Sequence, residues 1–286
     1  MKKLVLLALA ILTFLVDAEA QKKPLSGNAL FGGIRARQIG PASMSGRVSS
    51  IAVVPGSPEI IYIGSATGGV WKTVTGGSII RPVFEDHTMS IGKVAIDPND
   101  HETVWVGTGE PWTRNSVSVG TGLYKSDNGG STWKHMGFKD SERIVDIIVH
   151  PKNSDIVYVA VLGHLWDANE ERGVYKTTDG GATWTRILYV DADTGASDLD
   201  IDPKNPDILY ASMWSFRRLP WTFDSGFTGG SAVMKSTDGG ANWSKIHNGL
   251  PEGKLGRMAI AVAPSNGDMI YLTVESEKKE DKGLYL

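Results

Sequence analysis

The sequence predicts an all-β protein: a β-propeller of four-stranded antiparallel blades, each with a glycine-pair turn. Repetition carries that prediction. Near-identical stretches recur at 126–133 (SDNGGSTW), 177–184 (TTDGGATW) and 236–243 (STDGGANW), with a degraded copy at 73–80 (TVTGGSII) in which Ile80 takes the tryptophan position. An apolar run ends in proline at Pro55, Pro98, Pro151, Pro203 and Pro264, and seven residues after each stands an aromatic: Tyr62, Trp105, Tyr158, Tyr210 and Tyr271. Lys72, Lys125, Lys176 and Lys235 each close an apolar step four residues before a glycine pair, so the period runs from 51 to 59 residues.

Each unit then resolves into elements. Runs such as 144–149 and 156–161 are rich in β-branched residues and too short for helices, so they read as strands A and B. The step ending in lysine is strand C. The glycine pair makes a tight turn, because glycine tolerates positive φ. Strand D follows, as at 184–189. The blades fall near 47–90, 91–142, 143–195, 196–255 and 256–286. The last residues, GLYL at 283–286, match GLYK at 122–125, so the fifth unit stops at its strand C. An incomplete propeller of about five blades is therefore expected. Further blades beyond Leu286 are favoured over a ring sealed by a strand from 34–39.

Composition narrows the function. Lys+Arg total 29 against Asp+Glu 32, a net charge of -3 that offers nucleic acid no electrostatic footprint. The absence of cysteine excludes disulfides, thiolate zinc sites and cysteine nucleophiles. Lys2 and Lys3, an apolar run at 4–16 and Ala18-Glu19-Ala20 form the three parts of a signal peptide spanning 1–20, with 21–46 as an N-terminal segment. The expectation is a bacterial-type protein, cut after Ala20, that is secreted, periplasmic or on the cell surface, with no membrane span after cleavage.

The pattern Ser/Thr-x-Asp-x-Gly-x-Thr-Trp resembles the Asp-box, or bacterial neuraminidase repeat. Thr177, Asp179, Gly181, Thr183 and Trp184 match it fully; Ser236, Asp238, Gly240 and Trp243 match with Asn242 for threonine; Ser126, Gly130, Thr132 and Trp133 match with Asn128 for aspartate. With IGPASMSGRV at 39–48, GGVWK at 68–72, GTGE at 107–110, GHLW at 163–166 and GLPEGKLGR at 249–257, the chain resembles secreted bacterial propellers of the sortilin-like and glycosyl hydrolase-like kind. The resemblance implies that the box residues are structural and lie on the outer rim. Asp179 and Asp238 are expected to accept backbone N–H groups across their turns, and the amide oxygen of Asn128 can do the same.

Functional residues are then sought in the B–C loops, which hold all the elastic length of the repeat. The second loop carries Glu110, Trp112, Arg114 and Asn115; the third carries His164, Trp166, Asp167 and Glu170; the fourth carries Trp214, Phe216, Arg217, Arg218, Trp221 and Phe223. Exposed tryptophan and planar arginine suit sugar rings or peptide termini. The competing reading is a satellite core of loops folded on one another. Arg47 and Arg257 open strand A in matching positions, to face the channel or to pair with neighbouring acids. The acidic run Asp191, Asp193, Asp198, Asp200 and Asp202 lacks the glycine of an EF-hand, and the six histidines show no zinc spacing. No metal or cofactor is expected.

Two functions follow. The first is a ligand-binding propeller of sortilin-like type, taking a glycan or a peptide. The second is a glycoside hydrolase of the xyloglucanase-like or sialidase-like kind. Hydrolysis needs two carboxyls across the scissile bond. Resemblance to xyloglucanase-type propellers places one catalytic aspartate where this chain has Ala66. Glu110 with Asp167 or Glu170 is the carboxylate pair that loop position offers.

Overall fold

The computed structural model describes residues 47–114, 117–226 and 228–286. The leader at 1–20, the segment at 21–46 and Asn115 lie outside the described residues. Five antiparallel sheets follow one another along the chain. The first holds β1 (Val48–Val54), β2 (Ser57–Ser65), β3 (Gly69–Thr73) and β4 (Ile80–Pro82). The second holds β5 (Ile91–Ile96), β6 (Val104–Thr108), β7 (Leu123–Ser126) and β8 (Lys134–His135). The third holds β9 (Ile144–Val149), β10 (Val157–Val161), β11 (Gly173–Thr177) and β12 (Thr185–Leu188). The fourth contains β13 (Thr194–Ile201), β14 (Leu209–Leu219), β15 (Thr222–Ser225), β16 (Ala232–Ser236) and β17 (Ser244–Ile246). The fifth contains β18 (Leu255–Val262), β19 (Ile270–Ser276) and β20 (Gly283–Tyr285). Successive first strands β1, β5, β9, β13 and β18 lie beside one another, as the inner strands of propeller blades do.

The spacing rules have physical causes. Proline donates no N–H and holds the preceding residue extended. That preceding residue caps the A–B turn: Asp97 Oδ1, His150 Nδ1 and Asp202 Oδ1 accept the backbone N–H of Asn99, Lys152 and Lys204, at 2.8, 3.1 and 2.8 Å. The aromatic seven residues after the proline reaches the turn of the next sheet. The hydroxyls of Tyr62 and Tyr158 donate to the carbonyls of Gly129 and Gly239. Lys72 and Lys176 donate to the same two carbonyls while lying 5.0 and 5.4 Å from the Tyr62 and Tyr158 ring centres. The first and third blades thus hold the turns of their successors, a contact that fixes these intervals.

The turns are held locally too. Asp179 Oδ1 accepts the N–H of Thr183 at 2.9 Å, and the Thr177 hydroxyl accepts that of Gly181 at 3.0 Å. Asn128 Oδ1 accepts the N–H of Thr132 at 2.9 Å, and Ser126 and Ser236 hydroxyls accept those of Gly130 and Gly240. In the degraded copy Thr75 takes the aspartate position and its hydroxyl accepts the N–H of Ile79. Hydrogen bonds, first from Thr177 for Asp179 and from Asn242 for Asp238, lower both carboxyls to about 2. Trp133 and Trp184 pack between sheets and donate to the carbonyls of Val83 and Met136, residues of the preceding blade. Trp243 joins the core between the third and fourth sheets.

Candidate functional site

The inner strands carry a line of polar links from blade to blade. Ser50 Oγ on β1 accepts the N–H of Val94 on β5 at 3.0 Å. Lys93 on β5 pairs with Asp146 on β9 at 2.7 Å. Asp146 is hydrogen-bonded with Asp198 on β13, and Asp198 Oδ2 accepts the N–H of Ile260 on β18 at 2.8 Å. Asp200 Oδ2 accepts the N–H of Val262 at 2.7 Å. First strands of adjacent blades do not share a backbone ladder, so side chains make these connections. Composition alone does not single out Lys93 and Asp146. The available signal was one charged residue inside an apolar first strand.

Cavities open along and beside this line. One of about 340 Å³ draws on all five first strands, through Ser50, Lys93, Asp146, Asp198 and Arg257, with Trp112 at its rim. Trp112 and Arg257 also border a second cavity, of about 460 Å³, with Glu275 and Lys282 on its wall. The Arg257 guanidinium lies 4.7 Å from the Trp112 ring centre and 5.3 Å from that of Trp214. Trp112 is 50% exposed.

Burial, then the charge of Asp146, raises Asp198 to about 7. Folding therefore takes up a proton between the ordinary aspartate range and that value. The associated stability is complete only below the ordinary aspartate range and is lost as pH rises from there through about 7. Scanning calorimetry should show Tm falling between about pH 4 and about pH 7, and Asp198→Asn should flatten that slope. Acid works oppositely at the turns, where stability from Asp179 and Asp238 is lost as pH falls towards 2.

The remaining loop residues divide. Trp166 and Trp221 are 46% and 84% exposed, on the third and fourth blades. Trp214 and Phe216 are corrections to the expected fourth loop. They lie in β14, whose pairing with β15 makes a hairpin around Pro220 and Trp221. Both are buried with Leu162 and Leu165, while Phe223 packs against them. Apolar and polar residues alternate over 214–217, and Trp214 and Phe216 pack against Leu162 and Leu165 of the third blade. Arg217 pairs with Asp193, and the Arg218 guanidinium sits over Phe223 at 5.8 Å. Arg114 is exposed beside Trp112.

Glu110 is a second correction. Its side chain is fully buried and paired with Arg47, and its N–H donates to Ser90 Oγ. The chain turns inward at Gly109, at φ +93°, so Glu110 meets the interior rather than a ligand. Asp167 Oδ1 is held by His164 Nδ1 at 2.8 Å, and His164 Nε2 donates to the Asp140 carbonyl at 2.7 Å. Glu170 Oε2 accepts the hydroxyl of Tyr189 at 3.1 Å. These three acids do not form an open pair. Buried Arg172 orders the third loop by donating to the carbonyls of Leu162, His164 and Asp167. Among the described residues no group of three or more His, Asp or Glu is placed to hold a metal, and no helix is long and apolar enough to cross a membrane.

Known proteins align with this arrangement. A xyloglucanase of Hypocrea jecorina is 24% identical over 231 residues, covering 70% of this chain and 26% of the relative. The chain thus spans about a quarter of that relative's length. The solved structure of an ancestral GH74 enzyme matches with TM-score 0.62 and 22% identity, over 86% of this chain and 31% of the other. The GH74 xyloglucanase of Xanthomonas campestris matches with TM-score 0.59 and 19% identity, over 84% and 36%. These structures share the fold. The family model for sortilin and neurotensin receptor 3 matches residues 121–285, more than half of the chain, and the protein therefore belongs to the Sortilin-Vps10 family.

Proposed function

We propose that this protein recognises a polysaccharide outside the cell, on the face where Trp112 opens the two adjoining cavities. The observation that carries the reading is the half-exposed indole of Trp112, fixed against Arg257 at the mouth of a groove lined by every blade. An aromatic face stacks on the C–H surface of a sugar ring, and polar groups beside it orient hydroxyls. Trp166 and Trp221 extend exposed aromatic surface onto the next two blades. The xyloglucanase relatives favour a glycan over a peptide ligand.

Binding without cleavage is the first form of this reading. The residue at the position the resemblance gives to a catalytic aspartate is Ala66, a buried methyl group with no proton to exchange. Hydrolysis is the second form, favoured by the relatives and by the Asp198 carboxyl, which stays protonated close to neutral pH beside the groove. Xyloglucan incubated with the protein should be retained in affinity electrophoresis and release no reducing ends. Reducing-end release that disappears in Asp198→Asn would establish the hydrolase form. Absence of retention would refute recognition of xyloglucan, a neutral polysaccharide, at this face.

A further inference from the structure

Three arginines stand near the starts of inner strands, and two of them are satisfied. Arg47 pairs with Glu110. Arg143 pairs with Glu142 at 2.6 Å and donates to the Gly163 carbonyl at 3.1 Å. Arg257, the third residue of β18, is different. Among the described residues its guanidinium forms neither a hydrogen bond nor an ion pair, and its contacts are the faces of Trp112 and Trp214. Glu275 is close, but its Oε2 already accepts the backbone N–H of Arg257 and the hydroxyl of Ser225, at 3.0 and 2.7 Å.

A stacked guanidinium keeps its rim of N–H donors free while its plane is fixed. Withdrawing such a cation from water is unfavourable unless a partner compensates it. Here the cation borders both cavities, and Lys282 stands on the wall of the second. The partner that fits a planar fork is a carboxylate, taken by two parallel N–H···O bonds.

We propose that Arg257 anchors a ligand carboxylate, and that the polysaccharide taken at this site carries uronic acid residues. This rests on the polysaccharide reading above and names the substrate class of the same site. The sugar ring that bears the carboxylate lies against Trp112, and the acid group turns inward to Arg257. A neutral chain occupies the same platform without that bond.

Titration calorimetry tests this with glucuronoxylan, its carboxyl-reduced form, neutral xyloglucan, and a short peptide with a free C-terminal carboxylate. The wild-type protein should bind glucuronoxylan roughly tenfold more tightly than the carboxyl-reduced polymer, the scale of one charge-assisted bidentate contact. Arg257→Gln should erase that preference, and Arg257→Lys should keep only part of it. The reduced polymer supplies a comparison that needs no variant, so misfolding of a substituted protein leaves the test intact. Equal affinity for the two polymers, with both lost in Trp112→Ala, would overturn the carboxylate assignment and leave polysaccharide recognition standing. Binding of the peptide in place of every polymer, or binding of no polymer at all, would overturn both.

Discussion

Trp105→Ala should cost about 3–5 kcal/mol, the usual scale for removing a fully buried tryptophan. Against a typical total of about 5–15 kcal/mol this is a large share of the fold's stability. Trp105 is fully buried between the second and third blades. It meets Trp184 edge-on at 6.2 Å, with Lys125 5.3 Å from its ring centre, and a Cβ placed on Gly181 would come within 2.7 Å of it. One ring therefore supports the blade interface and the next turn together. Among the described residues its indole nitrogen has no hydrogen-bond partner. Trp105→Tyr should consequently cost less than half as much, since tyrosine fills the equivalent place in the first, third and fourth blades. Urea unfolding of the three proteins decides this; a loss under about 1 kcal/mol for Trp105→Ala would contradict the interface described, being the scale of a surface change.

Gly92→Ala should be more damaging than its size suggests. An added Cβ would lie 2.0 Å from the carbonyl oxygen of Ile144 and 2.7 Å from that of Gly109. Both obstacles are backbone atoms, so no side chain can rotate away, and β5 must separate from β9. The expected loss is at or above the upper end of the roughly 1–3 kcal/mol found for overpacked cores. Lys93 follows Gly92 directly, so its pairing with Asp146 should weaken as well. Gly283→Ala is the matched control, because nothing lies within 4 Å of its added Cβ. Its Tm should stay near that of the parent, whereas Gly92→Ala should lower Tm sharply or prevent soluble folding. Similar Tm values for the two variants would contradict the close approach of β5 and β9.

The repeated intervals made the fold legible because each marks a local or neighbouring-blade contact. Pro98 follows a turn-capping aspartate, Tyr158 reaches Gly239, and Lys176 reaches the same carbonyl. Such contacts recur once per period, so they leave a periodic trace. The site was less legible, because its partners come from different blades at unequal separations. Arg257 sits against Trp112, and Asp198 meets Asp146 and the backbone of Ile260, with no common interval to reveal them. The fourth segment misled for another reason. Its tryptophans and phenylalanines suggested a loop that presents aromatics, yet 214–217 alternates apolar and polar residues within β14 and buries Trp214 and Phe216. Period-two alternation on both sides of Pro220 was the signal for a hairpin. Trp214, Phe216 and Phe223 form a satellite core, while Trp112, Trp166 and Trp221 remain exposed.

The affinity of Trp112→Ala for xyloglucan, set beside the unsubstituted protein with both shown to be folded, tests polysaccharide recognition at the channel mouth most directly. Trp112 is half exposed, so its removal should leave Tm nearly unchanged. Binding should weaken about tenfold or more, the effect of losing an aromatic anchor from a ligand face. Unchanged affinity in the folded variant would place the ligand elsewhere on the protein and contradict the site.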